Sequence, residues 1–589
     1  MKIYDLYYHA KAPVEIEKKK AYIVGGGLAG LAAAAFLADD IHMPARNITI
    51  FEKMNDVGGS MDGAGNAAQG YLCRGERELE PFMECLWYLC SKAPSLRNKG
   101  RTVLDDVVDF NKDEPIHSEF RIIERCGKVA DYHNLKLDDL SMALIAMLLY
   151  VPEETLEGMA IQDYFPPQFF ESNLWYCFST MLAFKKYHSV IEAKRYFRRF
   201  THFAPECDYL HGIIHTDLNE YDAMIKPIQV WLKKLGVEIV TDTEVVDIEL
   251  TPDNNTVTRL EVLKAGKAKS IKIAPEDMVF VTNGSMVANS TFGDNNTVAP
   301  TNRDTENRGL FTLWEKLAAR DKKFGNPATF ISDIDRTKWV SFFPTITNYP
   351  QFVEGIERVS GSKAGCGGAI TVKDSSWLIS FVLHHKPFFP NQPDNVEVFW
   401  GMGLYGENVG DYIKKPMCDC TGNEIMTEFL YHLGMLDMKD DLLAHSYIST
   451  CMMPYITSQF MPRKIADRPK IVPEGCTNLA FMGQFVETPE DAVFTVETSI
   501  RTAMQAVHAL TKVDKDPIEV APTFYDMRYV MALLKRFANV DKLTTKDLPP
   551  IDPGNIEGFQ QLMVDFLNNN IEPMPPLFPG RDKQNRFKK

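Results

Sequence analysis

The chain has 589 residues, a formal net charge of −15 and a pI near 5.4. That length exceeds what one hydrophobic core serves, so roughly two to four packed units are expected. The acidic balance argues against a general nucleic-acid binder, which needs a basic surface to neutralise phosphates, and no nucleic-acid partner is expected.

Residues 1–19 read as a polar N-terminal arm. Residues 21–38, AYIVGGGLAGLAAAAFLA, carry no charge and follow three lysines, Lys18 to Lys20. By length this stretch approaches a membrane span or a signal peptide. Its glycines argue instead for a strand turning into a helix. Gly25, Gly27 and Gly30 have the dinucleotide-fingerprint spacing: the first permits the tight turn, the second lets backbone approach a pyrophosphate, and the third lets helix pack on strand. The helix N-terminus, where Ala29 sits, then offers unpaired N–H groups to phosphates. A second apolar strand, Asn47–Phe51, ends in Glu52, 22 residues beyond Gly30, where an acid accepts hydrogen bonds from ribose hydroxyls. Gly58-Gly59-Ser60 follows, a pair that supports a second phosphate approach and tips the choice from NAD to FAD.

Next comes RGERELEPFMECLW, residues 74–87, with Arg74, Glu76, Arg77, Glu78, Glu80 and Glu84 all charged. On a helical wheel Leu79, Phe82, Met83, Leu86 and Leu89 form an apolar face. Glu76, Glu80 and Glu84 repeat every four residues as a solvated edge. Glu78 aligns instead with Phe82, Cys85 and Leu89. Pro81 suits a first helical turn, so Glu78 is expected at or just before the helix start, with Arg74 and Arg77 holding it ionised or holding a ligand. Periodicity leaves open whether it is catalytic.

In AKRYFRRFTHFA, residues 193–204, Arg195, Arg198 and Arg199 alternate with aromatics. They read first as salt bridges to the protein's own acids. A carboxylate or nucleic-acid ligand is the alternative. Tyr196 and Phe200 share an inward face, and a buried tyrosine hydroxyl needs a partner, so Tyr196 is a candidate proton donor. Val237–Leu250 alternates like a strand pair. Asp277–Ser285, with Asn283 and Ser285, is a buried strand running into a polar turn. Asn478–Gln484 is a strand followed by a helix through Thr495, Ser499 and Arg501.

The expected fold is α/β. A discontinuous FAD-binding Rossmann-like domain takes residues 20–99, 216–299 and 471–515. A mixed α+β substrate-binding domain takes 100–215 and 300–470, and a helical C-terminal domain takes 516–589. In that tail Phe524, Met527, Val530, Met531, Leu534 and Phe537 form an apolar stripe that packs on the body or on a dimer mate. The alternative is a peripheral membrane contact. A second glycine fingerprint for a separate NADPH domain is absent. Eleven cysteines include no CxxC pair, and Cys418-Asp-Cys420 has no nearby histidine to complete a zinc set. No metal site is expected, and the thiols read as reduced, in a cytoplasmic protein.

The segments GGGLAGLAAAAFL, FEKMNDVGGSMDG, GYLCRGERELEPFMECLW, FVTNGS and GQFVETPEDAVFTVETSIRTA together resemble the FAD-dependent fatty-acid hydratases, the oleate hydratases once called myosin-cross-reactive antigens. The likeness runs from about residue 20 to about residue 570. RGERELE and QFVETPEDAVFT carry it far more specifically than the glycines do. The resemblance implies hydration of a cis double bond in a free fatty acid, oleate to 10-hydroxyoctadecanoate and linoleate in addition, by a homodimer. It implies FAD as a structural and electrostatic cofactor that is not consumed and activates better when reduced. It places the family's catalytic Glu at Glu78 and its catalytic Tyr at Tyr196. Where the family has G-G-R-E, this chain has Glu76 for the second Gly. The FAD-facing residues expected are Gly25, Gly27, Ala29, Gly30, Glu52, Gly59, Ser60, Arg74, Asn283, Ser285, Thr495 and Ser499. The FAD motifs fit equally a lipid-acting flavin oxidase, desaturase or double-bond isomerase, or a lipid-binding antigen that merely keeps FAD.

Overall fold

A computed structural model describes residues 11–113, 121–203 and 212–538, with residues 207, 210, 542 and 544. The first half of the N-terminal arm and nearly all of the tail beyond 538, GRDKQNRFKK included, lie outside the described residues.

Five short strands form a wholly parallel sheet: β1 (Ala21–Val24), β2 (Ile48–Phe51), β3 (Glu238–Val240), β4 (Met278–Thr282) and β5 (Leu479–Met482). Their order is β5-β4-β1-β2-β3, with Ala21 opposite Met278 on one side and Ile48 on the other. Every residue of β1 is buried, as a parallel strand covered on both faces requires.

Four helices matter for the site: α1 (Leu28–Ala35), α2 (Glu84–Lys92), α3 (Val190–Arg199) and α4 (Val496–Thr511). The alanines of α1 are what let α4 approach it closely. Ala32 and Ala33 share one apolar cluster with Ile500, Ala503 and Val507 of α4 and Leu86 and Leu89 of α2. On the opposite face of the sheet, Val245, Ile248 and Leu260 of a three-stranded antiparallel sheet pack against Val24, Phe51 and Val281. The expected strand pair at 237–250 therefore splits between two sheets: β3 edges the parallel one, and Thr243–Leu250 joins the antiparallel one.

A second layer is an eight-stranded sheet centred on Trp339–Thr347, which pairs antiparallel with Ser446–Met453 and Val396–Gly403. One face packs Phe342, Phe381 and Phe399 against Phe352 and Phe429 of the helices Pro350–Ser360 and Gly422–Leu433. The other face packs Trp339, Phe343 and Trp400 with Phe178, Phe184 and Tyr196 from the aromatic helices of residues 161–199.

Two segments cross between the layers. Leu313 and Leu317 pack against Val24 and Val281 of the parallel sheet, although residues beyond 300 read as part of the other unit. Thr291–Gly293 forms the edge of the eight-stranded sheet, beside Ser446–Met453. Apolar periodicity specifies that such segments are buried, but not against which sheet.

Part of the tail stripe packs on the body, while Met527 is exposed. Phe524 and Met531 are buried, and Phe537 lies against the aromatic layer. Among the described residues no helix is long and apolar enough to cross a membrane.

Candidate active site

The carboxyl ends of β1, β2, β4 and β5 face one cavity of about 1000 Å³, lined there by Gly25, Glu52, Thr282 and Gly483. Crevices at the carboxyl ends of parallel strands are where open α/β sheets hold nucleotides. Gly25 adopts φ +100°, and a Cβ on Gly30 would lie 2.0 Å from the Gly25 carbonyl oxygen. Gly30 is thus a packing residue behind the turn and does not line the cavity. Gly27 does. It bridges Gly58, and a Cβ on Gly59, at φ +63°, would come within 3.1 Å of the Gly27 Cα. Two glycine turns therefore close on each other and leave bare backbone along the cavity wall.

Glu52 accepts hydrogen bonds from the backbone N–H groups of Gly26 and Met54, each at 2.8 Å. Burial raises its carboxyl, and those N–H groups and the Arg74 charge oppose the rise. Each oxygen keeps a lone pair, the acceptor a sugar hydroxyl needs. Arg74 donates to Asp62 at 2.7 Å and to the Gly59 carbonyl at 2.6 Å, so it braces the second glycine turn. Ala29, Ser60, Ser285, Thr495 and Ser499 also line the cavity. Asn283 is different: its amide donates to the Phe485 carbonyl at 2.9 Å, and its side chain is buried behind the wall.

Three residues at this end were missed by sequence reasoning. Thr282 brings a buried Oγ1 with no hydrogen-bond partner among the described residues. Gly483 and Gln484 border the cavity, and Gln484 donates to Thr495 and Ser499, both at 2.8 Å. The strand-to-turn pattern located these segments. Which side chain faces inward depends on the strand twist, which no local pattern reports. The glycine cradle, the acid at the second strand and the orphaned Thr282 hydroxyl together fit a dinucleotide.

The charged segment departs from its predicted helix. The helix begins at Glu84, and residues 75–80 lie outside any helix, with Leu79 bridging Ile214 through N–H···O bonds of 3.1 and 2.8 Å. A distant carboxylate sets the start: Glu497 of α4 accepts the N–H groups of Cys85 and Leu86, both at 2.9 Å. Glu80 caps from the other side, accepting the Phe82 N–H at 2.7 Å. Glu76, Glu78 and Glu80 all line the cavity, as do Arg77 and Leu79 between them, and the expected solvated edge does not form.

The three carboxyls meet different surroundings. Glu80 is buried, which opposes its charge, but Arg199 at 2.8 Å and His202 at 3.2 Å overcome that and hold it at about 2. Glu78 has no such support. Burial pushes its carboxyl up to about 7, countered only by one bond to Oε1 from the Ala369 N–H at 3.1 Å. Its Oε2 is buried with no hydrogen-bond partner among the described residues. The two expected arginines turn away from it: Arg77 donates to the Ser60 carbonyl at 2.6 Å and to the Gly75 carbonyl, and Arg74 is engaged as above. Glu76 is raised further by burial, then by the charges of Glu220 and Glu78.

Tyr196 reaches the same cavity from α3. Its ring stands edge-on to Phe184 at 5.0 Å, and its hydroxyl donates to the Val493 carbonyl at 2.6 Å. Burial first, then the charges of Glu192 and Asp491, raises its hydroxyl well above the ordinary tyrosine value. The arginines beside it serve the fold. Arg195 pairs with Glu153 at 2.6 Å and with Glu487, Arg199 pairs with Glu80, and Arg198 donates to the Tyr525 hydroxyl at 2.8 Å. Leu174, Phe178, Phe197, Phe200, Val382 and Trp400 line the same cavity as Glu78 and Tyr196 and give it apolar wall.

Residues 18–508 match the MCRA family. The chain belongs to that family. Among MCRA-like relatives, it is 39% identical over 584 residues to an oleate hydratase of Streptococcus pyogenes serotype M49, covering 97% of this chain and 98% of that one. It is 29% identical over 554 residues to a linoleate hydratase of Lactiplantibacillus plantarum, covering 86% and 96%. Solved structures are similar more loosely. An oxidoreductase from Methanosarcina mazei has 14% identity and a TM-score of 0.47 over 83% of this chain and 100% of its own. Cyclohexylamine oxidase from Brevibacterium oxydans has 11% identity and a TM-score of 0.47 over 84% and 99%. In this MCRA member the glycine cradle, the apolar aromatic wall and the Glu76–Glu80 segment all line one cavity.

Proposed function

We propose that this chain hydrates a cis double bond of a free unsaturated fatty acid, oleate foremost and linoleate in addition, with FAD bound beside the reacting carbons. The observation that carries the reading is Glu78: a carboxylate poised near neutrality, with one unpartnered oxygen, facing an apolar chamber. Gly25, Gly27, Ala29, Glu52, Gly59, Ser60, Arg74, Thr282, Ser285, Thr495 and Ser499 would hold FAD. When bound, it supplies a polar ring whose charge stabilises positive charge developing on the substrate. The parallel-sheet unit is read as the FAD half, and the eight-stranded sheet with its aromatic helices as the fatty-acid half.

The chemistry assigned to the chain's own residues is general acid and base work. Glu78 Oε2 accepts a hydrogen bond from water, orients it and takes its proton as the oxygen attacks one alkene carbon. A base titrating near the working pH suits that task. Tyr196 gives or relays a proton to the other carbon and exchanges its bond to the Val493 carbonyl in doing so. The apolar wall excludes bulk water, so that one held water meets the alkene at short range. The long acyl chain supplies remote binding energy that fixes the double bond between the two groups.

Anaerobic incubation of the flavin-loaded protein with oleate, with an aerobic control, tests the reading. The expected product has gained one water, without flavin turnover. Release of hydrogen peroxide in air, or a product changed by two hydrogens, would show a flavin oxidase or desaturase instead.

A further inference from the structure

Hydration leaves a proton problem that the two groups above do not solve. The O–H bond of water breaks as its oxygen bonds to carbon, and that proton goes to Glu78. The alkene π pair takes a different proton, from the acid, to form the C–H bond. The net proton count is zero, yet Glu78 ends protonated and the acid ends deprotonated. One proton must leave Glu78 in every turnover.

The structure holds further carboxyls in line for it. Glu76 lies two residues before Glu78 on the same cavity wall. Behind it is Glu220, itself 4% exposed, and the Arg77 charge and backbone N–H act on both carboxyls. Two buried carboxyls that share the Arg77 charge and backbone N–H oppose each other's ionisation, the condition under which a pair carries one proton. Glu220 in turn feels Asp62, whose side chain is 30% exposed and anchored by Arg74. His384 faces Glu76 from the eight-stranded sheet, with its Nε2 3.5 Å from a Glu76 oxygen. Burial and the neighbouring His385 and His215 keep His384 neutral. Cys73, also in the cluster, is a buried thiol held protonated.

We propose that Glu76 and Glu220 form the proton relay of this cavity, carrying the proton from Glu78 toward Asp62 and solvent. The ionised member of the pair accepts the Glu78 proton through an intervening water while the protonated member releases its own to Asp62. The acid regains a proton from solvent water, so that over one turnover the proton released through Asp62 is matched by one taken up and both groups return to their starting forms. This assignment rests on the hydratase reading, and it gives the position that departs from the family's G-G-R-E pattern a role in the reaction.

The test compares wild type, Glu76→Gln, Glu76→Asp and Glu220→Gln in steady-state hydration of oleate, across the neutral pH range and in light and heavy water. For Glu76→Gln the relay requires kcat lower by about a hundred-fold or more at unchanged KM, the low end for a positioned proton-transfer group. It also requires a larger solvent isotope effect and an altered pH profile, with Glu76→Asp recovering most of the rate. Glu220→Gln, off the cavity wall, should show the same signature, and it serves if Glu76→Gln folds poorly. A rate loss that keeps the wild-type pH profile and isotope effect, or no loss at all, overturns the relay. Wild type that forms no water adduct with any free unsaturated fatty acid overturns the hydratase reading instead.

Discussion

Glu78 accepts its hydrogen bond from the backbone of Ala369, 291 residues along the chain, and from no other described group. The bond joins the charged segment to the residue just before the strand Ile370–Val372 of the eight-stranded sheet and leaves the second oxygen buried without a partner among the described residues. A Cβ on Gly368 would come within 2.9 Å of Glu78 Oε1, so the bareness of residue 368 is part of how the carboxylate is seated.

Glu78→Gln is expected to abolish hydration while leaving flavin binding intact, read by product formation and by flavin absorbance of the purified protein. Retained hydration would remove Glu78 from the mechanism.

The same variant changes stability with pH. The folded carboxyl sits at about 7 against an ordinary 4.5, so the native state binds the proton more tightly than the unfolded state does. Wild-type stability should therefore fall as pH rises from the ordinary value through neutrality, by at most about 3 kcal/mol from this group. Glu78→Gln should lose that slope and melt higher than wild type under mildly alkaline conditions. Parallel thermal-unfolding curves against pH decide it.

Glu80 behaves in the opposite sense. Held at about 2, it contributes stability above the ordinary carboxyl value that is lost as pH falls through its own. Glu80→Gln removes the 2.8 Å carboxylate partner of buried Arg199 and leaves it Asp491 at 3.5 Å, at a cost of up to about 3–5 kcal/mol. Chemical denaturation at neutral pH should show that loss, and a variant as stable as wild type would mean the pair contributes little.

Tyr196→Phe deletes the hydroxyl but keeps the ring among Phe178, Phe184 and Phe460. Turnover should drop by about two orders of magnitude or more, with circular dichroism unchanged. Near-normal turnover would assign the proton to another donor.

Gly30→Ala should prevent flavin retention, because its Cβ would collide with the Gly25 carbonyl and push α1 off the turn. A variant purified with wild-type flavin content would show that the turn tolerates the shift.

The sequence by itself determined the glycine turn, the acid after β2 and the strand-to-helix unit ending in α4. These are local matters: spacing, periodicity and the conformations glycine allows. Tertiary structure decided the rest. Glu497 fixes where α2 begins, so the helical wheel drawn through residues 74–87 described a helix that does not start until Glu84. The non-helical segment before it then lines the cavity with Glu76 and Glu80 as well as Glu78. Arg199 and Ala369, both far away in sequence, make Glu80 a fixed anion and leave Glu78 near neutrality. Residue type and spacing name a carboxylate. Its proton affinity is set by what folds against it, and that is written only in three dimensions.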